Sequence, residues 1–440
     1  MPNTNSSNIG FKAWIIWTLG ALFYCYEVFL QASPSVMVSD LMQTFNVCAA
    51  SLGHLAAFYF YAYATMQIPV GVMLDRYGPR RLLTIATLVC ALGSFIFGMA
   101  TALIQAEIGR LLIGIGASFA AVGCMKLTAM WFPFDRFALL IGLMMMMGMA
   151  GAIGSEAPLA LMVDALGWRH SMITMAAVGA ILAVFIWLFV RDKPIHAKVI
   201  NHSDECRQDS LLNGLKRVIA NKQSWLVAIY GGLMFAPTSA LAMLWGVPFL
   251  MEKYQITRPS AAWIISITFI GWIIGSPLLG WISDRMRRRL PAMYLSSIGT
   301  FLCLLFIIYC SGPIWTMYIL MFGFGLFSSA FLPAFSIMRE INSPDISATS
   351  LGFMNMMNMV GGALLQPLIG WFLDLRWQGQ LVQGTPIYNI LDYKLALTVL
   401  PVLCLLSLLI LPFIRETYGR QVTASEKSNA YSKRNAMGTT

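Results

Sequence analysis

Glu27, Arg110 and Glu156 are ionisable residues set inside long apolar stretches, where a charge is costly unless it is paired or faces water. Tyr24, Glu27 and Gln31 fall at i, i+3 and i+7, on one face of a helix. At 1.5 Å per residue Glu27 lies roughly 15 Å below the outer end of its apolar stretch, and Arg110 and Glu156 roughly 10 Å below the same surface. One guanidinium and two carboxylates at similar depth form a candidate charged cluster. Such a cluster suits an anionic or zwitterionic solute, and Glu27 or Glu156 offers a group that could take up a proton. The alternative is a static Arg110–carboxylate pair that only braces the structure. Tyr59, Tyr63 and Gln67, together with Asn355, Asn358 and Gln366, add hydroxyls and amides of the kind that orient small molecules in a site. The same groups serve equally well as hydrogen bonds between helices.

Other chemistries find no support. The eight cysteines are scattered without C-x-x-C spacing, and the four histidines form no ligand cluster, so neither a metal nor a disulfide is expected. No G-x-x-x-x-G-K-[ST] loop is present to cradle a nucleotide phosphate. No serine–histidine or aspartyl-pair constellation falls within the apolar stretches, so no enzyme and no cofactor is expected. The run Met144 to Met147 points around a helix rather than at one ion, which is adaptable packing.

A second set of charges sits where apolar runs stop. Gly71-Val-Met-Leu-Asp75-Arg76-Tyr-Gly78-Pro-Arg80-Arg81 and Gly280-Trp-Ile-Ser-Asp284-Arg285-Met-Arg287-Arg288-Arg289 share G-x-x-x-D-R followed by a basic cluster, 209 residues apart. Pro158 and Pro367 repeat the same offset, each followed by an aspartate (Asp164, Asp374) and a tryptophan (Trp168, Trp377). Two landmarks in one register make the chain a duplication of one unit.

The elements that must position these residues are membrane helices. The chain is 58% hydrophobic and 11% charged, with a mean hydropathy of +0.71. Soluble domains carry about 25% charged residues, so a water-exposed globule is excluded. Runs of about 20 apolar residues, each able to cross hydrocarbon as a helix, are expected near 13–37, 51–74, 82–101, 104–128, 138–162 and 171–190. The second set lies near 224–250, 261–283, 290–310, 313–337, 349–373 and 393–414. The expectation is an all-α membrane protein of twelve transmembrane helices in two pseudo-symmetric six-helix bundles. Its parts are a first bundle 1–190, a linker 191–222 with a short helix over 211–219, a second bundle 223–414, and a polar tail 415–440 expected to be disordered. Cytoplasmic loops carry excess Lys and Arg. With both termini inside, 22 of the 29 basic residues fall on that side, against Arg169, Lys253, Arg258, Arg376 and Lys394 on the other. The net charge of +10 thus reads as membrane topology, not as a nucleic-acid footprint.

Two parallel six-span halves rocking about a midplane site is a transporter architecture. At this point the chain resembles the major facilitator superfamily. The loop from Gly71 to Arg81 is similar to that family's hallmark between spans two and three, with the Gly280–Arg289 stretch as its degenerate second copy. Arg110-Leu-Leu-Ile-Gly114-Ile-Gly116 is similar to the R-x-x-x-G-x-G pattern of span four. The resemblance implies a secondary carrier working by rocker-switch alternating access, with Gly71, Asp75, Arg76, Arg80 and Arg81 at a cytoplasmic gate and Asp284 and Arg285 in the mirror position. The expected cargo is a small polar solute: an organic anion, an amino acid or a short peptide. Protons are a candidate co-substrate, the setting is the cell's inner membrane, and the expected state is a monomer. Drug or siderophore efflux by proton antiport is the competing carrier reading. The drug antiporters' G-x-x-x-G-P-x-x-G-G pattern is departed from at Glu156-Ala157-Pro158. A membrane sensor on a carrier scaffold is the non-carrier reading, and neither linker nor tail is long enough for a soluble signalling domain.

Overall fold

The computed structural model describes residues 10–133, 136–192, 211–343, 346–382 and 385–421. The interval 193–210 in the linker and the tail from 422 onward therefore lie outside the described residues. The chain is almost entirely helical; one short ladder, Leu381–Val382 with Thr385–Pro386, is the exception among the described residues. Ten helices are long and apolar enough to cross hydrocarbon, and the bent pair Val38–Phe45 and Ala49–Gln67 makes an eleventh candidate. One of the ten, Leu139–Phe189, has 51 residues, about 76 Å of helix and more than twice a bilayer core. It breaks at Gly167, whose φ of +79° favours glycine. With that break taken as the turn between spans five and six, the count is twelve.

The remaining spans follow in order: one Phe11–Val36, two Ala49–Tyr77, three Pro79–Met99, four Leu103–Trp131, seven Lys222–Tyr254, eight Arg258–Met286, nine Leu290–Tyr309, ten Trp315–Glu340, eleven Ser347–Arg376 and twelve Ile390–Phe413. A helix Leu211–Ala220 occupies the end of the linker, and its Gly214 lies against Ile346 at the start of span eleven. Spans three, six, nine and twelve turn apolar rows outward, such as Ile85, Leu88, Leu92 and Phe95, or Leu295, Ile298, Leu302 and Phe306. At helical spacing these are lipid-facing stripes.

Both described ends of the chain lie on one face, called here the terminal face. The halves meet mainly through span two against span eleven and span five against span eight. The first contact is closest on the opposite face. A Cβ at Gly53 would stand 2.6 Å from Pro367 Cα, and one at Gly370 would stand 2.3 Å from the Ala49 carbonyl oxygen. Toward the terminal face the pair separates, with Gly352 3.9 Å from the Gln67 carbonyl. At Gly71, and at Gly280 in the mirror position, no described atom lies within 4 Å of a Cβ. No other helix comes close to Gly71 in this structure, because the halves have parted at that end.

Spans one and seven are both broken at matching places. Span one passes from α-helix into a 3-10 turn at Ser33–Val36, and span seven winds as a π-helix over Thr238–Trp245, which contains the residues 209 positions later. Tight and wide turns of this kind disturb the helical ladder and recur at functional places. Span four packs on span two through glycine: a Cβ at Gly114 would lie 2.3 Å from the Tyr59 carbonyl oxygen. In the second half Gly325 meets Thr268, the residue equivalent to Tyr59, at 1.9 Å.

A Gly114→Ala substitution should therefore cost about 1–3 kcal/mol of overpacking, read as a lower thermal unfolding midpoint of the purified protein. Gly71→Ala, facing open space, should leave that midpoint unchanged or raise it.

Candidate functional site

The α-helix of span one stops at Ala32, leaving its last carbonyls without intrahelical partners inside the membrane. Ser33 Oγ donates to the Leu30 carbonyl at 2.9 Å, and Arg110 of span four adds charged donors to the Leu30 and Gln31 carbonyls. Its Nη1 donates to the Leu30 carbonyl at 2.7 Å, and Nη2 donates to the carbonyls of Gln31 at 3.3 Å and Ala56 at 3.4 Å. A cation at a helix C-terminus also meets the negative end of the macrodipole. The guanidinium lies over the Tyr59 ring, 5.2 Å from its centre. Gly114, one turn along span four, is what lets Arg110 come so close to span two.

Tyr59 in turn donates from its hydroxyl to Glu27 Oε1. Glu27 is 2% exposed, and its Oε2 has no hydrogen-bond partner among the described residues. Arg110, Tyr59 and Glu27 thus form a chain across spans four, two and one. Neither Glu27 nor Glu156 lies within ion-pair distance of Arg110 among the described contacts. The static alternative weighed from sequence, an Arg110–carboxylate pair, is replaced by a guanidinium bound to backbone carbonyls. The physical reason is the broken end of span one, which a sequence does not announce.

Glu156 is placed apart from this chain. It precedes Ala157 at a break in span five and accepts from Ser35 Oγ at 2.8 Å, so it joins the break of span five to that of span one. Tyr63 stacks near Tyr59, with ring centres 5.7 Å apart. Gln67 accepts from Asn355 Nδ2 at 3.1 Å, a bond between the two halves. Asn358 is buried beside Gly231 of span seven. Gln366 donates to the Ser239 carbonyl at 2.9 Å while its own carbonyl accepts from Trp245 Nε1 at 3.0 Å, so it braces the π-helix. Tyr24 packs on Gly148 and points its hydroxyl at Met145 Sδ, and Gln31 is buried.

On the terminal face the Asp75 side chain lies outside the described residues. Gly78 turns the chain with φ +79°, Arg76 lies over Tyr77, and Arg81 is exposed. Arg80 donates from its side chain to the Trp187 carbonyl at 3.0 and 2.9 Å and from its backbone N–H to Asp192 at 2.8 Å. In the second half Arg285 lies over Trp281, and Asp284 bonds Arg289. Arg289 also pairs with Glu340 at 3.0 Å, so Glu340 is engaged there rather than with its neighbour Arg339. Burial opposes the charge on Arg289, but its bonds to Asp284 and Glu340 outweigh it, so the guanidinium pKa is raised above its ordinary value.

Sequence reasoning missed the carboxylates that cap the starts of spans three and nine. Asp192 takes the Arg80 N–H, and Glu416 takes the N–H groups of Arg289 at 2.9 Å and Leu290 at 2.9 Å. The signal was present as Arg191-Asp192 and Arg415-Glu416, each just after the last span of its half. Lys126 donates to the Leu74 carbonyl at 2.9 Å near the end of span two. Among the described residues no group of three or more His, Cys, Asp or Glu could hold a metal ion.

A sequence model of the Major Facilitator Superfamily matches residues 18–246 and again 227–436, and the chain belongs to that superfamily. Its apolar helices make it a multi-pass membrane protein. Among curated relatives it is 23% identical over 274 residues to the uncharacterized transporter YybO of Bacillus subtilis, covering 58% of this chain and 63% of that protein. It is 24% identical over 249 residues to a probable L-galactonate transporter of Escherichia coli, covering 54% of each. The chain thus spans less than two thirds of the length of these relatives. It is 25% identical over 379 residues to the lysosomal dipeptide transporter MFSD1 of Danio rerio, covering 80% of this chain and 78% of that one. Among solved structures, an inward-facing, unoccupied bacterial homolog of the human lysosomal transporter Spinster aligns with a TM-score of 0.76 at 14% identity, over 92% of this chain and 97% of that one. That likeness speaks to the fold.

Arg110→Lys should detach at least one of the three carbonyls, since a compact ammonium lacks the planar fork with which the guanidinium addresses spans one and two together. A buried carbonyl left unpaired costs about 1–3 kcal/mol, so thermal unfolding should fall well below the wild-type midpoint. Glu27→Gln, which keeps an acceptor for Tyr59, should unfold close to wild type in the same measurement.

Proposed function

We propose that this chain is a proton-coupled secondary carrier of a small zwitterionic solute, an amino acid or short peptide, moved by alternating access between its two six-span halves. The observation that carries this reading is the Glu27–Tyr59–Arg110 chain. Arg110 is spent on backbone carbonyls, so an anionic solute finds no unengaged cation in this cluster. Glu27 Oε2 is the open acceptor, able to take a proton or a solute ammonium group. Tyr63, Gln67 and Asn355 add polar contacts beside it, and the Gln67–Asn355 bond would have to yield as the halves move. The extent of the similarity to a protein named as a dipeptide transporter supports the same solute class.

In this reading the terminal face is cytoplasmic, as the distribution of Lys and Arg supports, and the membrane is the cell's inner membrane. Asp75, Arg76, Arg80 and Arg81 with Gly71, and Asp284 and Arg285 opposite, close that face when the other one opens. The domains are the two halves 1–190 and 223–414, and the carrier works as a monomer. A second reading, transport of an organic anion, is favoured by the names of the relatives described as sulfoacetate and L-galactonate transporters.

A thermal-shift screen of the purified protein against amino acids, short peptides, organic acids and sugars separates the two. Stabilisation by amino acids or peptides is the expected result, and stabilisation by organic acids alone would transfer the assignment to the second reading. With a stabilising solute in hand, uptake into liposomes by Glu27→Gln should lose its dependence on the proton gradient. Unchanged pH dependence would remove Glu27 as the coupling group.

A further inference from the structure

Asp164 and Asp374, which follow the repeat prolines and stand 210 residues apart, take no part in the central cluster. In the structure each one crosses to the start of a span in the other half. The Asp374 carboxylate accepts the N–H of Ala49 at 3.1 Å and of Ala50 at 2.8 Å, the first two residues of span two. Tyr388 completes that contact, accepting from the Ala49 N–H at 3.1 Å while donating to Asp374. Asp164 lies 3.4 Å from Nη1 of Arg258, the first residue of span eight, and Asp40 lies 2.8 Å from the same nitrogen.

Arg258 stands 209 residues after Ala49, so the two carboxylates address equivalent positions of the repeat. The chemistry at the two positions differs for a physical reason. The residue equivalent to Ala50 is Pro259, which has no N–H to donate. Span eight therefore presents the guanidinium of Arg258 where span two presents backbone N–H groups at the positive end of its dipole. Apart from the Tyr388–Asp374 bond within the second half, each bond joins one half to the other, and all of them lie on the face where spans two and eleven are closest. The parted terminal face shows no such bond among the described residues.

We propose that Asp164 and Asp374 are a matched pair of latches that hold the opposite face shut, and that their release lets the carrier open there. A cleft of about 570 Å³ between the halves is lined by Tyr388 of one latch and, beside the other, by Ser39 and Thr257, the chain neighbours of Asp40 and Arg258. The Asp164 side chain is 45% exposed and that of Asp40 30%. Ion pairs this open to water are weak, which suits contacts that must break and reform in each cycle. The latches act whatever solute is carried, so the inference stands apart from the Glu27 reading.

The test is a distance measurement between spin labels on the full chain in liposomes, in a background whose eight cysteines are replaced by alanine. One pair, Ser39→Cys with Ser260→Cys, spans the opposite face. The other, Tyr77→Cys with Met286→Cys, spans the terminal face at equivalent repeat positions. Asp164→Asn with Asp374→Asn should move at least a severalfold larger fraction of molecules to a longer Ser39–Ser260 distance and a shorter Tyr77–Met286 distance. Arg258→Gln, which leaves both carboxylates in place, should shift both pairs in the same directions to a smaller extent, and Asp374→Glu should stay near wild type. Unchanged distributions in both latch variants would overturn the proposal. So would a widening of the opposite face without closure of the terminal face, since that is loosened packing rather than a latch.

Discussion

Backbone groups in hydrocarbon must be satisfied within the protein, and the broken end of span one is where this constraint bears hardest. The carbonyls of Leu30 and Gln31 are left over when the helix gives way to the 3-10 turn at Ser33–Val36, and the Arg110 guanidinium takes them. Everything about the central cluster follows from that bond. Gly114 has to be small so that span four can approach span two. Tyr59 is pinned beneath the guanidinium and turns its hydroxyl to Glu27. Glu27 is left with one free acceptor atom because Arg110 is occupied elsewhere. A charge that looks available in the sequence is structural in the fold.

The breaks in spans one, five and seven serve a common purpose. They place Ser35, Glu156 and the π-turn Thr238–Trp245 at one level, where the two halves press together on the opposite face. Gln366 and Trp245 tie the π-turn to span eleven, so the seam is held by hydrogen bonds rather than by apolar contact alone. Apolar contact gains little inside a bilayer, because lipid tails are as apolar as the side chains they replace. Polar ties between small-residue surfaces are the means left to such a fold.

Much of the architecture was legible because it rests on periodicity and composition. The apolar runs set the spans to within a few residues, and the 209-residue offset of Asp75–Arg76 and Asp284–Arg285 set the duplication. The short linker helix was visible in the spacing of Leu215, Val218 and Ile219. The partners of the buried charges were not legible. Arg110 reads as a match for Glu27 and Glu156 only when backbone carbonyls are ignored, and no periodic signal marks a helix that stops inside the membrane. Asp192 and Glu416 were equally hidden, because they cap helices of their own half from beyond its last span. The parting of the halves at Gly71 was hidden for a different reason: a motif states what can meet, and the structure records one stage of that meeting.

The capping carboxylates Asp192 and Glu416 stand 224 residues apart, not 209, although the helix starts they cap keep the 209 register at Arg80 and Arg289. The extra fifteen residues fall between Trp377, which still matches Trp168, and the start of span twelve, where the ladder Leu381–Pro386 lies. The second half thus carries fifteen residues there that the first half lacks. Tyr388 comes at the end of that stretch, so the brace it gives to Asp374 has no twin in the first half. The two copies have diverged in length, and the stretch that only the second one carries has been drawn into their shared seam.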